Sequence, residues 1–173
     1  MDRAGYNGLS IALHWAGAAA VIALFVTHED EPGSAARFFH IAVGNFLALF
    51  LVWRVVRRAS RGMAAKPDQP AALNALAGLT TWGMLACVML LCVSGWLLPW
   101  TNGVGLDMAG LFTIPSPLPV TPWLYRASAA VHDAAGHAIV PLVVLHLLGA
   151  AKHAFLDGDG VLMRMVQAVR GGR

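Results

Sequence analysis

Four stretches of this chain run for about 20 residues or more almost without charge, near residues 9–28, 36–56, 73–100 and 127–155. No other feature constrains the fold as tightly, because about 20 apolar residues is what a helix needs to cross the hydrocarbon of a bilayer. Within lipid the backbone N–H and C=O groups must be satisfied inside the segment itself, so such stretches read as helices. Charged residues fill only 12% of the 173 positions, against about 25% in an ordinary soluble domain. The expectation is an all-α protein: an integral membrane four-helix up-down bundle, one domain over residues 1–173. The first stretch exceeds the roughly 7–15-residue apolar core of a secretory signal. It also carries His14 and Trp15, so it reads as a membrane helix.

The connections fit that plan. "EDEPGSA" separates the first two stretches and the basic "RRASRGMAAKPDQP" the next two. The longest connection, "TNGVGLDMAGLFTIPSPLPVTPW", carries four prolines and predicts a structured cap at the membrane surface rather than a fifth crossing. Charge then orients the bundle. Arg3, Arg54, Arg57, Arg58, Arg61, Lys66, Lys152, Arg164, Arg170 and Arg173 fall on one side, and only Arg37 and Arg126 on the other, beside Glu29, Asp30, Glu31, Asp107 and Asp133. Lys and Arg concentrate on the cytoplasmic side, so both termini are expected there. The basic pI of about 9.3 is thus topological. No basic run interleaved with aromatics suggests a nucleic-acid partner, and membrane lipid is the expected surrounding.

Cys87 and Cys92 lie five apart in one stretch, turned about 140° from each other on a helix, and so cannot bridge within it. They read as buried thiols. The histidines are more informative. His132, His137, His146 and His153 all fall in or at the end of the fourth stretch. His132 and His146 are 14 residues apart, which on a helix is about 21 Å of rise with a lag of only about 40°. They share a face at two depths. His153 continues that stripe at the cytoplasmic end, and His137 points elsewhere.

Partners can be sought by depth. His14 lies level with His146, and His40 level with His132. Two planar macrocycles, each held between a pair of neutral imidazoles, account for the pattern. His28 is also 14 residues from His14 and competes with His40, but it abuts the acidic "EDE" at the water boundary. Arg54 is 14 residues beyond His40 on the same face, where a guanidinium meets a haem propionate at the depth of the inner pair. Gly17, Gly44, Gly136 and Gly149 each follow one of the four histidines at a helical neighbour position and offer room for a porphyrin face. The competing reading is a non-redox protein whose histidines bind a metal ion or pack helices. A metal path usually adds carboxylates, and no Asp or Glu lies deep in any of the four stretches.

"SIALHW", "FFHIAVG", "LVWRVVRR", "AAVHDAAGH", "VVLHLLGAAKH" and "GDGVLMRM" together resemble the bacterial cytochrome b561 family over nearly the whole chain. The resemblance implies a di-haem b-type cytochrome of the inner membrane, with two haem b groups ligated by His14 with His146 and by His40 with His132. It also implies electron exchange with ubiquinone, and one member of the family is a superoxide:ubiquinone oxidoreductase. Iron held by two imidazoles keeps no open position, which favours outer-sphere electron transfer. His153, Lys152 and Arg54 are the polar side chains expected near the quinone, with Lys152 and His153 alternatively a snorkelling interfacial pair. The acidic "HEDE" of the outer loop departs from what an enzyme drawing in superoxide would use. A second function therefore stays open: a membrane subunit relaying electrons between a periplasmic redox protein, docked on the cap, and quinone.

Overall fold

The computed structural model describes residues 6–28, 31, 33–60 and 68–167. Four helices are long and apolar enough to span a membrane: α1 (Gly8–Val26), α2 (Ala35–Ser60), α3 (Ala71–Thr101) and α4 (Pro122–Lys152). Large apolar side chains stay exposed on their outer faces, among them Ile22, Leu49, Leu79, Leu147 and Phe155. In water such a surface would aggregate; here it is the lipid face. Arg3, Glu29, Asp30, Arg61, Lys66, Arg170 and Arg173 of the charge argument lie outside the described residues.

Local chemistry sets the helix ends. Asn7 caps α1, its side chain accepting from the Ser10 amide at 2.9 Å, and Ser34 caps α2 through the Arg37 amide at 3.1 Å. Helix α1 stops at Val26, short of the expected residue 28, and Thr27 turns its hydroxyl back onto the Ala23 carbonyl. Helix α2 runs on to Ser60, past the expected residue 56. Its last turns hold Arg57 over the Trp53 ring at 5.5 Å and Arg58 over Tyr6 at 5.8 Å, so these cations continue the helix at the membrane edge. Helix α4 starts five residues before the expected 127, because Pro122 at its first position has no N–H to leave unsatisfied.

Two turns of α-helix are widened to π geometry, and both include a histidine. Phe39–Val43 within α2 contains His40, and His153–Asp157 extends α4. The first widening frees the Ala42 carbonyl, which accepts from the Ala109 amide of the cap at 3.1 Å. The cap is ordered, as expected. Strands β1 (Leu106–Asp107) and β2 (Thr113–Ile114) pair antiparallel, and Met108 is fully buried between them and the helices. Asn45 ties it down, donating to the Asp107 carbonyl at 3.2 Å while its own carbonyl accepts from Trp96 Nε1 at 3.3 Å.

The apolar core is asymmetric. Ala48, Leu51 and Val55 of α2 pack with Leu85, Val88 and Cys92 of α3 and with Ile139 of α4. Gly17 and Ala20 are the buried residues of α1. Cys87 and Cys92 are buried free thiols. Helix α1 meets the segment after α4 at the end opposite the cap, where Trp15 Nε1 donates to the Met165 carbonyl at 2.9 Å.

Candidate functional site

Helix α4 meets α1 and α2 through imidazoles. At the terminal end the rings of His14 (α1) and His146 (α4) lie 6.3 Å apart, centroid to centroid, inclined by 62°. At the cap end His40 (α2) and His132 (α4) lie 6.2 Å apart, inclined by 80°. All four rings are half-buried. The depth matching made from sequence thus corresponds to two real juxtapositions.

The ring nitrogens are committed differently in each pair. His40 Nδ1–H donates to the Leu24 carbonyl at 2.8 Å. Ser94 uses its hydroxyl proton on the Leu90 carbonyl, so at 3.0 Å from His132 Nδ1 it accepts. Both bonds place the imidazole proton on Nδ1 and leave the Nε2 lone pair for a ligand. Gly95 makes the second of these possible: a Cβ there would stand 3.3 Å from the His132 ring. At the terminal end Arg54 donates through Nε to the Leu13 carbonyl at 2.9 Å and brings an NH2 to 3.2 Å from His14 Nδ1. A guanidinium only donates, so this contact holds His14 Nδ1 as an acceptor.

The glycines divide. Gly136 and Gly149 face open space, but a Cβ on Gly44 would meet Leu24 at 3.3 Å. A Cβ on Gly17 would stand 2.8 Å from Arg54 Nε and 2.9 Å from its Cδ, so this glycine makes room for an arginine, not for a macrocycle. His28 is exposed, stacks on Phe25 and lies 6.5 Å from His40, so it borders the cap-end pair. His137 is exposed beside Asp133, as its rotation predicts.

At the far end of α4, Lys152 and His153 are engaged by acids that the sequence reading had left without a role. Lys152 Nζ is 2.5 Å from Asp157 Oδ2, and His153 Nδ1 lies 3.1 Å from Asp157 and 2.8 Å from Asp159. Desolvation pushes the Asp159 carboxyl up, but the Val161 amide and His153 outweigh it and hold it below the ordinary 3.8. Among the described residues this is the one set of three His and Asp side chains close enough to share an ion, and it lies away from the deep imidazoles.

The sequence model of the prokaryotic cytochrome b561 family matches residues 5–168. The chain belongs to that family. It is 28% identical over 172 residues to cytochrome b561 homolog 2 of Escherichia coli (strain K12), covering 93% of this chain and 90% of that protein. It is 26% identical over 175 residues to cytochrome b562 of Cereibacter sphaeroides, covering 94% and 96%. This cytochrome b561 is therefore a multi-pass protein of the bacterial inner membrane and an electron-transfer protein of b type.

The imidazole pairs fit a b-type haem. A metal–imidazole bond of about 2.0–2.1 Å, plus about 1.1 Å from nitrogen to ring centre, separates two rings across one ion by about 6.2–6.4 Å. The observed 6.2 and 6.3 Å lie within that window. Ser94 and Gly95 of the third segment touch His132 and were missed from sequence, although they fall at its depth. The role of the Leu24 carbonyl leaves no trace in residue type.

Proposed function

We propose that this cytochrome holds two haem b groups, one between His14 and His146 and one between His40 and His132, and carries electrons across the membrane to ubiquinone. The observation that carries the reading is the pair of ring separations, 6.3 and 6.2 Å, at depths about 21 Å apart along α4. Haem b held by these imidazoles would supply a one-electron couple for outer-sphere transfer. Leu24 and Ser94 keep the Nδ1 protons of His40 and His132 in place. Arg54, fixed by its Nε bond to the Leu13 carbonyl, would offer its NH2 to a propionate, which would leave His14 Nδ1 to carry a proton and Nε2 to ligate. The excess of Lys and Arg puts the terminal end in the cytoplasm.

Ubiquinone is taken at that end, by His153 and Lys152. They border two clefts of about 480 and 180 Å³, the larger lined by Lys152, Asp157, Asp159 and Arg164 and the smaller by His153 and Met163. Reducing the quinone to quinol takes two electrons and two protons, and His153 with its two aspartates sits where those protons enter. With superoxide as donor, two anions give two electrons and two O2 for each quinol formed. The cap favours a periplasmic redox protein as donor, because Leu111, Phe112, Val120 and Trp123 are exposed there.

A reduced-minus-oxidised visible spectrum with haem quantification tests the core of this. Two b-type haems per chain are expected, falling to one in His132→Ala and in His146→Ala, with different haems lost. A chain without a reducible haem sinks the redox reading, and one haem per chain sinks the pairing. Stopped-flow reduction by superoxide with added quinone, compared with reduction by a soluble redox protein, separates the two donors.

A further inference from the structure

Two buried side-chain polar atoms have no hydrogen-bond partner among the described residues: the Ser128 hydroxyl and Trp100 Nε1. Ser128 is only 4% exposed. A hydroxyl in a membrane helix ordinarily bonds to the carbonyl four residues back. Thr27, Thr81, Ser94 and Thr101 all do so in this chain, with distances of 2.6–2.9 Å. Ser128 does not, although Leu124 stands at that position. An unmade hydrogen bond at a buried group is costly, so Ser128 has a hydroxyl to offer a ligand.

Its position says which ligand. Ser128 is four residues before His132 on α4, so it sits on nearly the same face, about 6 Å nearer the cap. The Ser94–His132 and Gly83–Leu142 contacts set the antiparallel register of α3 and α4. That register brings Trp100 to the level of Ser128 within about one helical turn. The indole only donates and the hydroxyl is free to donate. Two unfilled donors therefore stand within about one turn of each other, one to two turns beyond an imidazole pair, and the group they suit is an oxygen acceptor carrying negative charge.

We propose that Ser128 and Trp100 form a carboxylate site for a propionate of the cap-side haem. The proposal rests on the two-haem reading above and deepens it. A haem held by His40 and His132 must bury or expose two carboxylates, and neutral donors are what this chain places beside one of them. The terminal-side haem has Arg54 instead.

The test uses the haem-loaded protein in detergent, with Ser128→Ala and Trp100→Phe made separately, so that one remains informative if the other fails to fold. Each is first checked for two haems per chain. Resonance Raman spectra are read for the propionate-bending band, and the two midpoint potentials are read by redox titration. The couple lost in His132→Ala marks the cap-side haem. Expected in each variant are an altered propionate band and a lowered cap-side potential with the other potential unchanged. Ser128→Thr, which keeps the hydroxyl, restores the wild-type band. Selective loss of the cap-side haem from a folded variant also supports the site. Unchanged bands and potentials with both haems present overturn the proposal while leaving the two-haem reading intact, as does a shift confined to the terminal-side couple. A change that appears only when quinone is added overturns it too, since the donors would then serve a quinone. A chain with no haem fails the earlier reading, and this proposal falls with it.

Discussion

Gly17→Ala separates two explanations for the glycine beside His14. A Cβ at this position would stand 2.8 Å from Arg54 Nε and 2.9 Å from Cδ, below any normal contact. The guanidinium must move, and the bond it loses first is Nε to the Leu13 carbonyl at 2.9 Å. A hydrogen bond from a charged donor is worth about 1.5–3 kcal/mol. Against that, alanine favours the helix over glycine by about 1 kcal/mol. The net expectation is a loss of about 0.5–2 kcal/mol, measured by reversible unfolding in mixed micelles. The decisive arm is the same substitution in an Arg54→Ala background. With no guanidinium to displace, Gly17→Ala becomes neutral or stabilising by up to about 1 kcal/mol, so the coupling between the two positions comes to about 1.5–3 kcal/mol. If Gly17→Ala costs the same in both backgrounds, Arg54 is not what the glycine accommodates and the steric reasoning fails.

Three further outcomes are expected. Ser94→Ala removes the acceptor of His132 Nδ1–H and weakens haem retention at the cap-side site about 10–100-fold, read as release to apomyoglobin, with the terminal-side haem unaffected. Arg54→Gln removes a positive charge that the Nε bond to the Leu13 carbonyl holds near His14. At about 7 Å from the redox centre and an effective dielectric near 20 that charge is worth about 2.4 kcal/mol, so the terminal-side potential falls by about 100 mV, and Arg54→Lys recovers part of it. The Asp159 carboxyl is held below its ordinary 3.8, so it stabilises the folded tail above that pH and the contribution is lost as pH falls through the lowered value. Trp15, whose indole holds Met165, reports this as an acid change in fluorescence that Asp159→Asn removes.

The sequence made the helices, the cap and both histidine pairs legible for one physical reason: membrane helices are straight enough that residue count converts to depth. His132 and His146 keep their 14-residue relation because α4 is continuous through both. Where the helix departs from α geometry, counting loses its hold. The π turn at Phe39–Val43 contains His40 and leaves the Ala42 carbonyl to the cap, and no residue type announces it. Glycine was misread for a related reason. Its lack of a side chain is visible in sequence, but whether Arg54, Leu24 or open space fills the gap depends on rotation between helices. Ser94, Trp100 and Ser128 were passed over because lone hydroxyls and indoles are ordinary in membrane helices. Their meaning appears only when hydrogen bonds are accounted for atom by atom.

The two imidazole pairs resemble each other in geometry and differ in charge, and the difference bears on direction. At the terminal end a full positive charge, Arg54, stands beside His14. At the cap end the imidazoles are supported by a carbonyl and a hydroxyl, and the two unfilled donors one to two turns away are uncharged. A cation favours the reduced state of a nearby couple by more than a neutral dipole does, because it acts on the whole electron rather than on part of a charge distribution. If each pair holds a haem with the same ligand set, the terminal-side couple is therefore expected above the cap-side couple. On the proposed two-haem reading, electrons entering at the cap would run downhill toward Lys152 and His153. The ordering follows from Arg54 alone, so it reverses or vanishes when that residue is neutralised, whichever donor delivers the electrons.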